Sequence, residues 1–355
     1  MLLDIQNLTL GLPGAARPLL ADVSLRVGSG ETVGLVGESG SGKSTTAKTV
    51  LRLTPEEATV TGRVLVDGTD VLGLSGAGLR AHRAGTVAMV HQDPRSALNP
   101  VRRIGDFLVE RLLRTGRAGD RRAARERAVE LLGAVGLSDP ERRFGQRPHE
   151  MSGGMLQRVV IAGALAAEPR LLLADESTSA LDVTTQAEIL ALLRTLREER
   201  DLGMLFITHD LHLAAAFCDR VYVMYAGRVV EQQDAERLFT HARHPYTRGL
   251  LACSPELGDS ERALQPIPGR PPSLSDAFTG CPFAARCEHA EPECTTWLPE
   301  PAAVPGGGTA ACRRLTDLSE EPAEPGLATV PSSLAKSSLA KSSLAKSSLA
   351  KRSTA

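Results

Sequence analysis

Eight consecutive residues, Gly37-Glu38-Ser39-Gly40-Ser41-Gly42-Lys43-Ser44, constrain this chain more than any other stretch. They satisfy the spacing G-x-x-x-x-G-K-[ST] in full, behind an apolar run at residues 32–36 and ahead of a helix-compatible run at 43–53. The glycines let the backbone wrap with its N–H groups pointing inward. Those donors, together with a helix N-terminus, attract phosphate oxygens. Lys43 is placed to reach β- and γ-phosphates and Ser44 to hold Mg²⁺, so residues 37–44 and the adjoining Thr45 form a candidate ATP site. Lysine is otherwise scarce: only Lys43 and Lys48 precede Lys336, in a chain with 35 arginines.

The hydrophobic pattern around the loop alternates strand and helix. Short strands are expected in residues 1–35, at 62–66, at 86–90, at 171–174 and at 203–208. Helices are expected at 105–136 with a break at 116–119, at 155–167 and at 184–199. Interleaved strands and helices imply an α/β core with a largely parallel sheet. The run Leu171-Leu172-Leu173-Ala174 ends in Asp175 and Glu176. Ligands bind beyond the carboxyl ends of such strands, so Asp175 is a candidate for the Mg²⁺ shell and Glu176 for polarising a water.

Length and charge narrow the class. A chain of 355 residues has room for about two domains. The longest apolar run, residues 159–167, is far short of the ~18 residues a membrane-spanning helix needs. Asp4 and Gln6 interrupt any leader-like pattern at the start, which points to a cytosolic protein. The net charge is −1, but residues 332–355, four SSLAK repeats and a short end, carry four Lys, one Arg and no acid. Residues 1–331 then hold 36 basic and 42 acidic side chains, leaving no global basic field for nucleic acid. The repeats form no helical stripe and read as a disordered basic tail, with contact to anionic lipid near a membrane partner as the alternative.

Further motifs follow in order. Met151-Ser152-Gly153-Gly154-Met155-Leu156-Gln157-Arg158 opens a helix; Gln92 sits in His91-Gln92-Asp93-Pro94; Ser179-Ala180-Leu181-Asp182 follows the acids; His209 ends an apolar strand. With the first loop, this set resembles the signature, Q-loop, D-loop and switch histidine of ATP-binding cassette (ABC) ATPases. The resemblance implies a P-loop NTPase cassette over residues 1–235. It would have a RecA-like α/β core, antiparallel β elements and a helical signature subdomain at about 95–165. It also implies that two cassettes pack head to tail, so that Ser152, Gly153 and Gly154 serve the partner's nucleotide. Glu176 would act as base or water-orienting group, Gln92 would sense Mg²⁺ and the γ-phosphate, and His209 would contact the γ-phosphate. Two departures stand out. Residues 1–106 contain no aromatic to stack on adenine, leaving Leu10 or Leu19 for apolar contact, and Ser177 stands where the family commonly has Pro.

His244-Pro245-Tyr246-Thr247-Arg248-Gly249-Leu250-Leu251, Ile267-Pro268-Gly269-Arg270-Pro271-Pro272 and Gly280-Cys281-Pro282-Phe283-Ala284-Ala285-Arg286-Cys287 follow. They resemble the C-terminal extension of oligopeptide/dipeptide/nickel-importer ATPases. We therefore expect a small irregular extension at 236–318 and a low-complexity tail at 319–355. The resemblance implies a peripheral subunit on the cytoplasmic face of the membrane. Its partners would be a second ATPase subunit, two permeases and, indirectly, an extracytoplasmic binding protein. A regulatory subunit with little hydrolysis and a non-transport ABC ATPase are the alternatives. Cys281, Cys287, Cys294 and Cys312 are spaced C-x5-C-x6-C-x17-C. Four thiolates can hold a [4Fe–4S] cluster or a tetrahedral Zn²⁺, or stay unligated. The spacing lacks the C-x-x-C knuckles usual for zinc, and members of the branch carry a four-cysteine cluster. Cys218 and Cys253 read as packing residues.

Overall fold

A computed structural model of the chain describes residues 1–179, 181–253 and 266–317. The SSLAK repeats, and the expectation of disorder attached to them, lie outside the described residues.

The chain opens with β1 (Leu3–Gly11), β2 (Leu20–Val27) and β3 (Thr32–Val36), then α1 (Lys43–Val50), β4 (Thr59–Val66) and β5 (Thr69–Asp70). β1 pairs antiparallel with β2 and β4, giving a four-stranded sheet in the order β2-β1-β4-β5. α2 (Gly76–Ala81) and β6 (Val87–Val90) follow. A helical stretch comes next: α3 (Ile104–Arg114), α4 (Arg121–Ala134), α5 (Pro140–Gly145) and α6 (Gly153–Leu165). Then come β7 (Leu171–Asp175), α7 (Val183–Arg200), β8 (Gly203–Thr208), α8 (Leu211–Phe217), β9 (Arg220–Tyr225) and β10 (Arg228–Asp234). Polar residues start the helices as their caps demand. Asp120, Ser152, Asp182 and Asp210 each accept from the backbone N–H three residues on, satisfying a donor the helix leaves open.

Strands β9-β3-β8-β7-β6 form a parallel sheet with every neighbour in parallel register. Its central strands are buried along their whole length, because both faces are covered. The two-residue period divides their side chains between two cores. Leu35, Leu171, Leu173, Leu205 and Ile207 join β1, β2, β4 and α1 on one face. Val36, Leu172, Ala174, Met204 and Phe206 join α3, α4, α6, α7 and α8 on the other. The antiparallel sheet and the helices thus clamp the parallel sheet from opposite sides. The helical stretch at about 95–165 is continuous with the second core, in keeping with the Leu/Ala-rich pattern of its sequence.

The segment after residue 235 is more ordered than its Pro-rich texture suggests. It contains α9 (Ala235–Thr240), α10 (Pro245–Ala252), β11 (Ala302–Ala303) and β12 (Thr309–Ala310). β12 pairs antiparallel with β10, Glu231 facing Ala310 and Gln232 facing Thr309, so the parallel sheet continues as β11-β12-β10-β9-β3-β8-β7-β6. The expected irregular appendage is therefore built onto the main sheet. Its anchor is buried: the Glu231 carboxylate accepts from the Arg243 and His244 N–H groups at 2.7 and 3.0 Å, holding the start of α10.

Candidate nucleotide site

The phosphate loop joins the end of β3 to α1. Gly37 has φ +148°, and a Cβ there would run into the Met224 carbonyl of the neighbouring strand. Gly42, at φ +105°, caps α1. Both positions exclude L side chains for steric reasons. Lys43 is buried, and its ammonium donates to the Gly37 and Glu38 carbonyls at 2.7 and 2.8 Å. Burial lowers the pKa of Lys43 from its ordinary value, while the charges of Glu176, Asp175 and Glu38 offset part of that shift.

The strand ends bring the acids to this loop. Ser44 Oγ donates to Asp175 Oδ1 at 2.8 Å, which pairs the two residues expected around Mg²⁺. Glu176 takes a left-handed conformation, φ 46°, as the chain leaves β7. That conformation costs a non-glycine residue about 1–2 kcal/mol. Gln92 Nε2 donates to Glu176 Oε2 at 3.0 Å and to Ser179 Oγ at 3.2 Å. His209 Nδ1 lies 3.6 Å from Glu176 Oε1. Lys43, Ser44, Gln92, Asp175, Glu176 and His209, predicted from separate motifs, therefore meet at one end of the parallel sheet.

Ser152, Gly153 and Gly154 stand apart. Ser152 caps α6 through Met155 N at 3.4 Å, and Ser152 and Gly153 are exposed. A Cβ on Gly154 would strike the Thr185 side chain, so this helix start leans on the first turn of α7. Among the described residues no hydrogen bond or ion pair joins 152–154 to 37–45, and the two halves are not brought together into one site there.

One expectation needs correction. Leu10 is fully buried in the core beneath the antiparallel sheet, so it cannot meet a base; Leu19 is partly exposed. The four cysteines Cys281, Cys287, Cys294 and Cys312 do line one cavity, beside His289 and Trp297. Yet no group of three or more His, Cys, Asp or Glu side chains among the described residues is placed to hold a metal ion. Burial pushes the Cys281 and Cys287 thiols up to about 11 and raises that of Cys312. Cys218 is buried, as expected of a packing residue.

Sequence reading missed the groups behind the phosphate loop. Arg286 donates to both Glu38 carboxylate oxygens, at 2.7 and 3.0 Å, and Tyr246 Oη accepts from Glu38 N at 2.8 Å. Arg286 was visible between Cys281 and Cys287, but nothing local links it to a residue 248 positions earlier.

Comparison with known proteins agrees with this geometry. Residues 20–179 match the family model described as ABC transporter, and residues 230–294 match one described as oligopeptide/dipeptide transporter, C-terminal region. The chain is 48% identical over 317 residues to the oligopeptide transport ATP-binding protein OppD of Mycobacterium bovis, covering 88% of this chain and 52% of that protein. It thus spans about half the length of that relative. It is 43% identical over 295 residues to OppD of Haemophilus influenzae, covering 82% of this chain and 91% of that one. Among solved structures it is similar to the dimeric post-hydrolysis state of the ATP-binding cassette MJ0796 bound to ADP and Pi. That match has a TM-score of 0.58 and 31% identity, and covers 66% of this chain and 98% of that one.

Proposed function

This chain belongs to the ABC transporter family of ATP-binding proteins, and on that premise we propose that it binds and hydrolyses ATP to energise a peptide-type importer. The observation that carries the reading is the convergence of Ser44, Asp175, Glu176, Gln92 and His209 at the mouth of the phosphate loop. Residues 1–235 act as the cassette and 236–318 as the importer-type extension.

In this proposal the loop N–H groups and Lys43 grip the phosphates, and Ser44 with Asp175 seats Mg²⁺. Gln92, which donates to Glu176, would sense the metal, and Glu176 would orient the attacking water. His209 meets the γ-phosphate. Positioning and charge neutralisation supply most of the catalysis. The exposed Ser152–Gly153 edge completes the site of a second ATPase subunit, and two permeases respond to closure. No helix among the described residues is long and apolar enough to cross a membrane, which suits a peripheral subunit at the cytoplasmic face.

The four-cysteine cavity is the seat of a sulfur-ligated group in the same proposal. Its lining offers four sulfurs and no carboxylate, a donor set suited to a thiolate complex. Cys281, Cys287, Cys294 and Cys312 would hold a [4Fe–4S] cluster, whose role when bound is to stabilise a Pro-rich segment. Absorbance near 400 nm, lost on chelation, supports this; stoichiometric zinc without colour rejects it.

The experiment for the function is reconstitution of the full chain with a second ATP-binding subunit and two permeases in vesicles. MgATP hydrolysis coupled to peptide uptake is the expected result. Hydrolysis absent in every combination would reject it.

A further inference from the structure

The segment after residue 235 touches the nucleotide loop from behind. Arg286 is almost wholly buried, with only 5% of its side chain exposed. Its planar fork is nearly filled: Nη1 and Nη2 donate to the two Glu38 oxygens, Nη1 also to Tyr225 Oη at 3.3 Å, and Nε to the Pro268 carbonyl at 2.8 Å. The guanidinium lies 5.8 Å from the Tyr225 ring centre and 6.0 Å from that of Phe283. Tyr225, Tyr246 and Phe283 pack on one another at centroid distances of 4.6–5.4 Å. Glu38 is thereby held at both ends, its side chain by Arg286 and its N–H by Tyr246. Its carbonyl faces Lys43.

We propose that Arg286 is a positioning residue for ATP binding, through which the C-terminal extension holds the phosphate loop in its working shape and neutralises Glu38. The inference rests on the ATP-binding reading above. Two effects support it. A bidentate guanidinium–carboxylate pair fixes orientation as well as charge, so the Glu38 peptide, and with it the carbonyl facing Lys43, cannot swing freely. In addition, Glu38 is a carboxylate inside a loop built to receive a polyanion. Left unpaired, it would repel the incoming phosphates; beside Arg286 its charge is cancelled. Among the described residues the Arg286 guanidinium bonds Glu38, Tyr225 and Pro268 and not Gln92, Glu176 or His209, so it acts on nucleotide affinity and not on the chemical step.

The test is MgATP affinity of the full-length chain by equilibrium titration, with KM and kcat in the assembled ATPase. Arg286→Met should weaken MgATP binding at least about 10-fold, the scale of a lost charge-assisted pair, and raise KM while kcat stays within about 2-fold. Arg286→Lys should recover part of the loss, since it restores charge without the fork. Adding Glu38→Gln to Arg286→Met should also recover part, because the repelling charge is gone. Arg270→Ala, which removes an exposed arginine of the same extension paired to Asp276 at 3.6 Å, should leave affinity unchanged. Unchanged MgATP affinity in Arg286→Met overturns the proposal. So does joint loss of kcat and KM with no recovery in either second variant, which marks a fold defect. An unaltered chain that binds no MgATP would instead sink the ATP reading on which the proposal stands.

Discussion

The Gln92 carboxamide donates to the Glu176 carboxylate at 3.0 Å, joining a residue that follows β6 to one that follows β7. In the proposed mechanism the pair sets an amide that would read the metal and phosphate against the group that would orient water. Glu176→Gln keeps an acceptor oxygen but discards the charge. We expect MgATP binding to persist within about 3-fold and hydrolysis to fall by about 100-fold or more, the range of lost general-base catalysis. Turnover like that of the unaltered chain, in a phosphate-release assay, would contradict the role.

The Ser44–Asp175 contact makes a prediction about Mg²⁺. Asp175→Asn removes the charge while keeping an oxygen near Ser44 Oγ, 2.8 Å away in the native pair. The Mg²⁺ concentration for half-maximal ATPase should rise about 10-fold or more, in line with weakened metal positioning. An unchanged requirement would place the metal elsewhere.

Ser177 is 1% exposed and its hydroxyl has no hydrogen-bond partner among the described residues. A buried hydroxyl without a partner costs about 1 kcal/mol or more. Ser177→Ala should therefore stabilise the chain, raising Tm by about 2 °C in a domain of this size. A lower Tm in calorimetry would show that the hydroxyl contributes favourably.

His244 is fully enclosed, its Nδ1 accepting from Tyr246 N at 3.0 Å, and burial lowers its pKa to about 3. The native state thus refuses a proton that the unfolded chain accepts below about 6.5. Stability from this group is complete above that pH and falls, by up to about 1.4 kcal/mol per unit, as pH drops toward 3. Nearby Glu231, raised by burial, works the other way, losing stability as pH rises through its own range. His244→Asn isolates the first effect. Relative to the variant, the parent should lose stability progressively between pH 6.5 and 4 in denaturant melts. Parallel curves would show that His244 does not titrate on unfolding.

Legibility followed the range of the interactions. The phosphate loop, Asp175, Glu176 and Ser152 could be read because their chemistry needs particular residues a few positions apart, flanked by apolar runs that fix strand or helix. The parallel sheet was legible from the same runs. What escaped was carried by single long-range contacts. Arg286 was visible in the Gly280–Cys287 run, but nothing in that run pointed to Glu38, against which the fold sets it. Leu10 looked available to a base because alternation along β1 does not say which face is covered. β12 is two residues long and has no pattern to detect; its register appears only against Glu231 and Gln232.

That short hairpin also guards the sheet. Without it, β10 would offer a bare flank of seven residues, long enough to template a neighbouring molecule. With β12 laid over its middle at Glu231 and Gln232 and β11 outermost, that flank is interrupted where a neighbouring strand would have to pair. A cassette cut after residue 235 would lose this shield together with Arg286, so it should self-associate as well as bind MgATP more weakly.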